Sequence, residues 1–131
     1  MTTAVKESDL AAYNRALRMD DAELVRQVRS LLGGKLTAYI GGVKSTRSVS
    51  QWADGTATIR SDEARARLGL AYRAASLINE RDSIRVVQAW FQGMNPMLND
   101  RAPARVLVES APDSPDASLF LAAARKMAAL G

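Results

Sequence analysis

Cysteine and histidine are both absent from the 131 residues of this chain. Their absence excludes disulfides, thiolate or imidazole metal sites, a cysteine nucleophile, and any catalytic triad or dyad with histidine as base. A chain without disulfides suits a reducing compartment, and a cytoplasmic location is the expectation. No basic stretch leads into an apolar run at the amino terminus, and no window approaches the ~18 apolar residues of a membrane span. Neither a signal peptide nor a membrane partner is expected. β-Branched residues nowhere alternate over a long run, and no Asn-Gly or Asp-Gly turn separates two strand-like stretches. Asp54-Gly55 is the nearest case, with helical patterns on both sides. Repeats and coiled-coil heptads are lacking too. What is left is helical: alanine alone supplies 23 residues, and the fold class read from the pattern is all-α. The length suits one compact domain, or one small domain with a helical extension.

Charge informs by position. Residues 1–32 carry five basic and five acidic groups, and residues 82–131 again five and five. Residues 33–81 carry eight basic and four acidic groups, so the whole formal excess of +4 sits there. A basic middle between two neutral flanks predicts one anion-facing surface. Arginine outnumbers lysine 14 to 4, which favours rigid multidentate contacts.

The periodicity predicts a succession of short helices. Ser8 is a candidate N-cap for a first helix carrying Leu10, Tyr13 and Leu17, either an arm or packed on the core. A second starts near Asp20 or Asp21, faces inward with Leu24, Val28, Leu31 and Leu32, and ends at Gly33-Gly34. A short helix over about 35–41 follows, with Leu36, Tyr39 and Ile40 apolar, closed by Gly41-Gly42. Ser45 caps the next, about 46–53, anchored by Val49 and Trp52 and stopped at Asp54-Gly55. Ser61 caps a long helix with Leu68, Tyr72 and Ala75 inward. A boundary is expected near Glu80 to Asp82. Ser83 then caps a helix over Ile84 to Gln92, and Pro96 restricts Asn95 and breaks the chain. A short helix near Pro103 carries Val106 and Leu107. Ser114-Pro115 starts the last helix, which runs to Gly131.

Helix, glycine turn, helix across Lys35 to Gly55 is the sharpest local feature. Such a pair can place one end of its second helix in a major groove. With Val49 and Trp52 buried, Thr46, Arg47, Ser48, Ser50 and Gln51 occupy or border the outward side. Arginine and glutamine suit base edges, whereas serine and threonine serve phosphates. Lys44 and Arg60 lie just outside the helix, within reach of a phosphate, and the amides near Thr46 add a helix end. The plain alternative is a small helical domain with a polar surface helix. In the last third, Trp90, Phe91, Leu98, Leu107 and Phe120 either form a small core or support dimerisation or a partner.

An enzyme reading finds no support in the pattern. Asp62 and Glu63 are adjacent and do not face each other on a helix. Asp113 and Asp116 read as turn and cap residues, and the Gly-Gly pairs do not match phosphate or dinucleotide loops. No catalytic, cofactor or metal residue is assigned.

Gly42 to Gly55, GVKSTRSVSQWADG, resembles the Xre/Cro-type helix-turn-helix, with a serine-rich recognition helix, tryptophan and closing glycine. Gly93-Met94-Asn95-Pro96-Met97-Leu98, preceded by Trp90-Phe91 and followed by Arg101-Ala102-Pro103, resembles the toxin-binding domain of Xre/MbcA/ParS-type antitoxins. Together the two stretches cover about residues 35–130. The resemblance implies an arm or helix over 1–19, a helix-turn-helix DNA-binding domain over 20–81 and a helical toxin-binding or dimerisation domain over 82–131. It implies a type II antitoxin that sterically blocks a NAD-consuming RES-domain toxin and represses its own operon by binding operator double-stranded DNA. A homodimer or a higher toxin–antitoxin assembly goes with it. The implied DNA surface is Lys44, Ser45, Thr46, Arg47, Ser48, Ser50 and Gln51, with Arg60 beside it. Trp52, Trp90, Asn95 and Pro96 shape the fold. The toxin surface falls on Ser114, Asp116, Leu119, Phe120, Arg125, Lys126 and Met127, with Arg125 aimed at an anionic or polar pocket. The rival readings are a stand-alone repressor whose last third only dimerises, and an adaptor that has lost DNA binding.

Overall fold

The computed structural model describes residues 3–130, with side chains from residue 6. Among these residues the architecture is all-α. It comprises α1 (Thr3–Arg18), α2 (Asp21–Leu32), α3 (Gly34–Gly41), α4 (Thr46–Asp54), α5 (Asp62–Asn79), α6 (Ile84–Gln92), α7 (Pro103–Glu109) and α8 (Pro115–Leu130), with a 3₁₀ turn at Pro96–Leu98. The only β-type pairing described is an isolated bridge between Asn95 and Arg101. No described helix is long and apolar enough to cross a membrane.

The helix starts follow from local chemistry. Asp20, Ser45, Ser61 and Ser83 each accept, through the side chain, the amide of the residue three along (Glu23, Ser48, Ala64 and Val86). Ser114 does the same for Ala117. The expected Ser8 cap is a correction: α1 already runs from Thr3, and Ser8 lies inside it. Its inner face also differs from the expected one. Ala12 and Ala16 are buried, whereas Leu10, Tyr13 and Leu17 stay exposed. Alanines let α1 lie close along α5, a spacing that leucines on that face would prevent. Tyr39 departs likewise: α3 buries Thr37, Ala38 and Ile40 and leaves the tyrosine ring exposed. The expected end of the last helix, Gly131, lies outside the described residues.

α5 is the central strut. It touches α1, α2, α3, α6, α7 and α8 and buries Ala64, Leu68, Ala71, Tyr72, Ala74, Ala75, Leu77 and Ile78. One apolar cluster runs from Leu24, Ile40, Val49 and Leu68 to Phe91, Leu98, Val106 and Phe120. The chain turns at 80–82, and the core continues across the turn. Phe120 is the seam. Its ring lies 5.7 Å from that of Trp90 and 5.9 Å from that of Phe91, which meets Trp90 edge-on at 5.1 Å.

Phe120→Ala is expected to destabilise the fold by about 3–5 kcal/mol, read as a shift in the urea unfolding midpoint. A change near zero would contradict the burial of this ring.

Candidate nucleic-acid interface

α3 and α4 are joined by Gly42 to Ser45. Gly42 sits at φ +81°, where its amide donates to the Tyr39 carbonyl and the next amide, of Val43, to that of Ala38. Gly55 closes α4 the same way: φ is +78°, and the amides of Gly55 and Thr56 donate to Trp52 and Gln51. The two helices approach closely at both ends. A Cβ on Gly34 would lie 3.3 Å from Thr46 Cγ2, and one on Gly41 would lie 2.8 and 2.9 Å from ring carbons of Trp52. The amino ends of α3 and α4 therefore converge.

Cations from other helices hold both carboxyl ends. Arg67 on α5 donates from Nε to the Ile40 carbonyl at 2.9 Å and pairs with Glu63 at 3.1 Å. Arg26 on α2 donates to the Ala53 carbonyl at 2.7 Å, its guanidinium steadied by Glu23. The Gln27 side-chain amide, then Arg26, hold the Glu23 carboxyl below its ordinary pKa. A positive group at a helix carboxyl end offsets the macrodipole as well as filling a carbonyl.

Val49, Trp52 and Ala53 are buried, so the rest of α4 is turned outward. Lys44, Ser45, Thr46, Arg47 and Ser50 are exposed, as is Arg60; Ser48 and Gln51 are half-buried. These last two, with Lys44, Ser45 and Arg60, line a groove of about 500 Å³ between the α3–α4 turn and the Ala57–Arg60 segment. Ser45 spends its hydroxyl on the Ser48 amide at 3.4 Å. Asp54 is also exposed, at the far end of α4. The helix is thus positive at its amino end and negative at its carboxyl end, and an anion is favoured only at the former.

The eight cations of residues 33–81 divide in two. Arg65 pairs with Asp21 and donates to the Ala16 and Met19 carbonyls; Arg67 and Arg73 pair with Glu63 and Asp9. Lys35, Lys44, Arg47, Arg60 and Arg81 have no ion-pair partner among the described residues, and Arg81 lies apart from the other four, in the turn after α5. Lys35 was not among the candidate residues. It lines a shallow depression together with Lys44 and Thr46, and its proximity becomes visible only once the amino ends of α3 and α4 are seen to converge.

The carboxyl-terminal candidates do not form one surface. Ser114 caps α8, and Asp116 pairs with Arg101 at 3.3 Å. Phe120 is fully buried, which corrects its expected place on a contact face: no ring atom is available to a partner. Arg125 pairs with Asp9 of α1 at 2.8 Å, away from Leu119 and Lys126, and remains half-buried. Leu119 and Lys126 are exposed and Met127 is half-buried. Asn95 organises the preceding turn. Its Oδ1 accepts the Met97 amide, and its carbonyl accepts those of Leu98 and Asp100, each at 2.9 Å. Pro96 opens the 3₁₀ turn, and Trp90 lies partly exposed against Phe91 and Phe120. No group of three or more acidic side chains among the described residues is placed to hold a metal ion.

Comparison with protein-family models, with curated proteins and with solved structures gives no match for this chain.

Gly41→Ala is expected to cost about 1–3 kcal/mol, because the added methyl overlaps the buried Trp52 ring. Thermal unfolding followed by tryptophan fluorescence checks it. An unchanged midpoint would mean that the ring moves aside freely.

Proposed function

We propose that this chain binds double-stranded DNA through the α3–α4 pair, with the amino end of α4 in the major groove. One observation carries the reading. Four of the five unpaired cations of the basic segment, Lys35, Lys44, Arg47 and Arg60, gather around one outward helix end, while Arg65, Arg67 and Arg73 are paired with carboxylates of the fold. Arg47 and Gln51 are the base-reading candidates. Lys35, Lys44, Arg60, Ser50 and Thr46 serve phosphates, and the converging amides of α3 and α4 add two positive helix ends. Ser45 and Ser48 shape the start of α4.

The wider proposal is that the protein is a type II antitoxin of the Xre/MbcA/ParS kind, paired with a RES-type toxin and repressing its own operon. Its support is the helix-turn-helix followed, further along the chain, by the Trp90, Asn95-Pro96 and Leu98 arrangement. A toxin-facing surface on α8 would use Leu119 and Lys126, with Met127 at its edge. The second reading, a stand-alone repressor with a carboxyl-terminal third for dimerisation, is favoured by the burial of Phe120 and the pairing of Arg125 with Asp9.

Two measurements test these readings. In gel-shift titrations against the chain's own promoter, Lys44→Ala is expected to weaken binding to all sequences and to lower the salt slope by about 1. Arg47→Ala is expected to cost about 1–3 kcal/mol and relax discrimination at one base pair. Promoter binding indistinguishable between these variants and the parent would sink the DNA reading. Co-purification with the product of the neighbouring gene, lost on Leu119→Asp with the fold intact, supports the antitoxin; promoter binding without any protein partner supports the repressor.

A further inference from the structure

Asp9 is the one buried charged residue among the described residues, and two guanidinium groups share it. Arg73 of α5 donates from Nε and Nη2 to Oδ1 at 3.3 and 3.1 Å. Arg125 of α8 reaches Oδ2 from Nε and Nη2, both at 2.8 Å. Each guanidinium keeps its Nη1 without a hydrogen bond to any described residue. Lys6, one turn earlier on α1, is exposed and without an ion-pair partner among the described residues. All four groups line one open cleft of about 570 Å³, together with Leu10 and Tyr13. Three positive charges face one negative charge, a local surplus of two. Among the described residues, Asp9 is the only carboxylate that lines the cleft.

The guanidinium side chains are only 18% and 31% exposed, so their mutual repulsion is weakly screened. They are also already in place. Asp9 holds both, and the Tyr13 ring lies 4.8 Å from the guanidinium carbon of Arg73. An anion bound there has little side-chain ordering to cost it affinity.

We infer that this cleft is a binding site for a phosphate dianion, either free phosphate or the head of a phosphate monoester. The two Nη1 groups and the Lys6 ammonium are three donors for the terminal oxygens, and a charge of minus two matches the surplus. An ester substituent would lie against Leu10 and Tyr13, the apolar residues that α1 leaves in solvent. The site is separate from the α3–α4 surface and does not depend on the function proposed above.

Calorimetric titration of the full chain at fixed ionic strength, with inorganic phosphate and then phenyl phosphate as probes, tests the inference. Saturable binding is expected, weakened about tenfold by Lys6→Ala and unchanged by a Lys44→Ala/Arg47→Ala double variant. Lys6 packs into no core, so its replacement leaves the fold intact, which unfolding midpoints verify. Tighter binding of phenyl phosphate identifies the monoester as the ligand, and equal affinity identifies free phosphate. Heat no greater than that from chloride, an unaffected Lys6→Ala, or loss confined to the double variant overturns the assignment.

Discussion

Cationic side chains from one helix close the carboxyl ends of others, and the packing of this fold depends on that interaction. The last carbonyls of a helix have no partner within it. Here Arg65 reaches those of Ala16, in the last turn of α1, and Met19 just after it, Arg67 reaches that of Ile40 in α3, and Arg26 reaches that of Ala53 in α4. Gln88 does the same, less closely, for Leu31. Short helices of eight to twelve residues are marginal alone, and the Arg67 and Arg26 contacts each tie a short helix, α3 or α4, to a longer neighbour at its electrostatically negative end. The α3–α4 pair is positioned in this way from two sides, by α5 through Arg67 and by α2 through Arg26.

That use of arginine also sorts the charges. Sequence counts put an excess of four on residues 33–81, yet much of the arginine in that segment faces protein. The cations that remain outward are concentrated where two helix amino ends meet, so side-chain charge and helix dipole point the same way. Asp54 sets the opposite sign at the far end of α4. A surface built like this orients an approaching polyanion, whereas a uniformly basic one would only attract it.

The alanine content has a geometric role. On α1 and α5, alanines line the shared face and permit a close approach, which sends the larger Leu10, Tyr13 and Leu17 to the outside. The same close packing brings Asp9 within reach of both Arg73 and Arg125. Three helices distant in sequence are thereby pinned at a single carboxylate. The aromatic cluster of Trp90, Phe91 and Phe120 does the corresponding work at the other side of the core, by apolar contact.

Helix boundaries were legible in the residues because caps and stops are local: a serine or aspartate accepts an amide three residues on, and a glycine adopts positive φ. The inward faces of α2, α4 and α5 were legible for the same reason, through leucine, valine and tryptophan at helical spacing. Lys44 to Gln51 could be read as an outward segment because Val49 and Trp52 fix the rotation of α4. Where the pattern misled, the deciding contact lay far away in sequence. The inner side of α1 is set by α5, the burial of Phe120 by Trp90 and Phe91, and the orientation of Arg125 by an aspartate 116 positions earlier. Local propensity and periodicity determine which segments are helices and which residues lead a face. Which arginines are paired within the fold and which stay unpaired is decided by tertiary packing alone, since only the packed helices bring carbonyl ends and carboxylates within their reach.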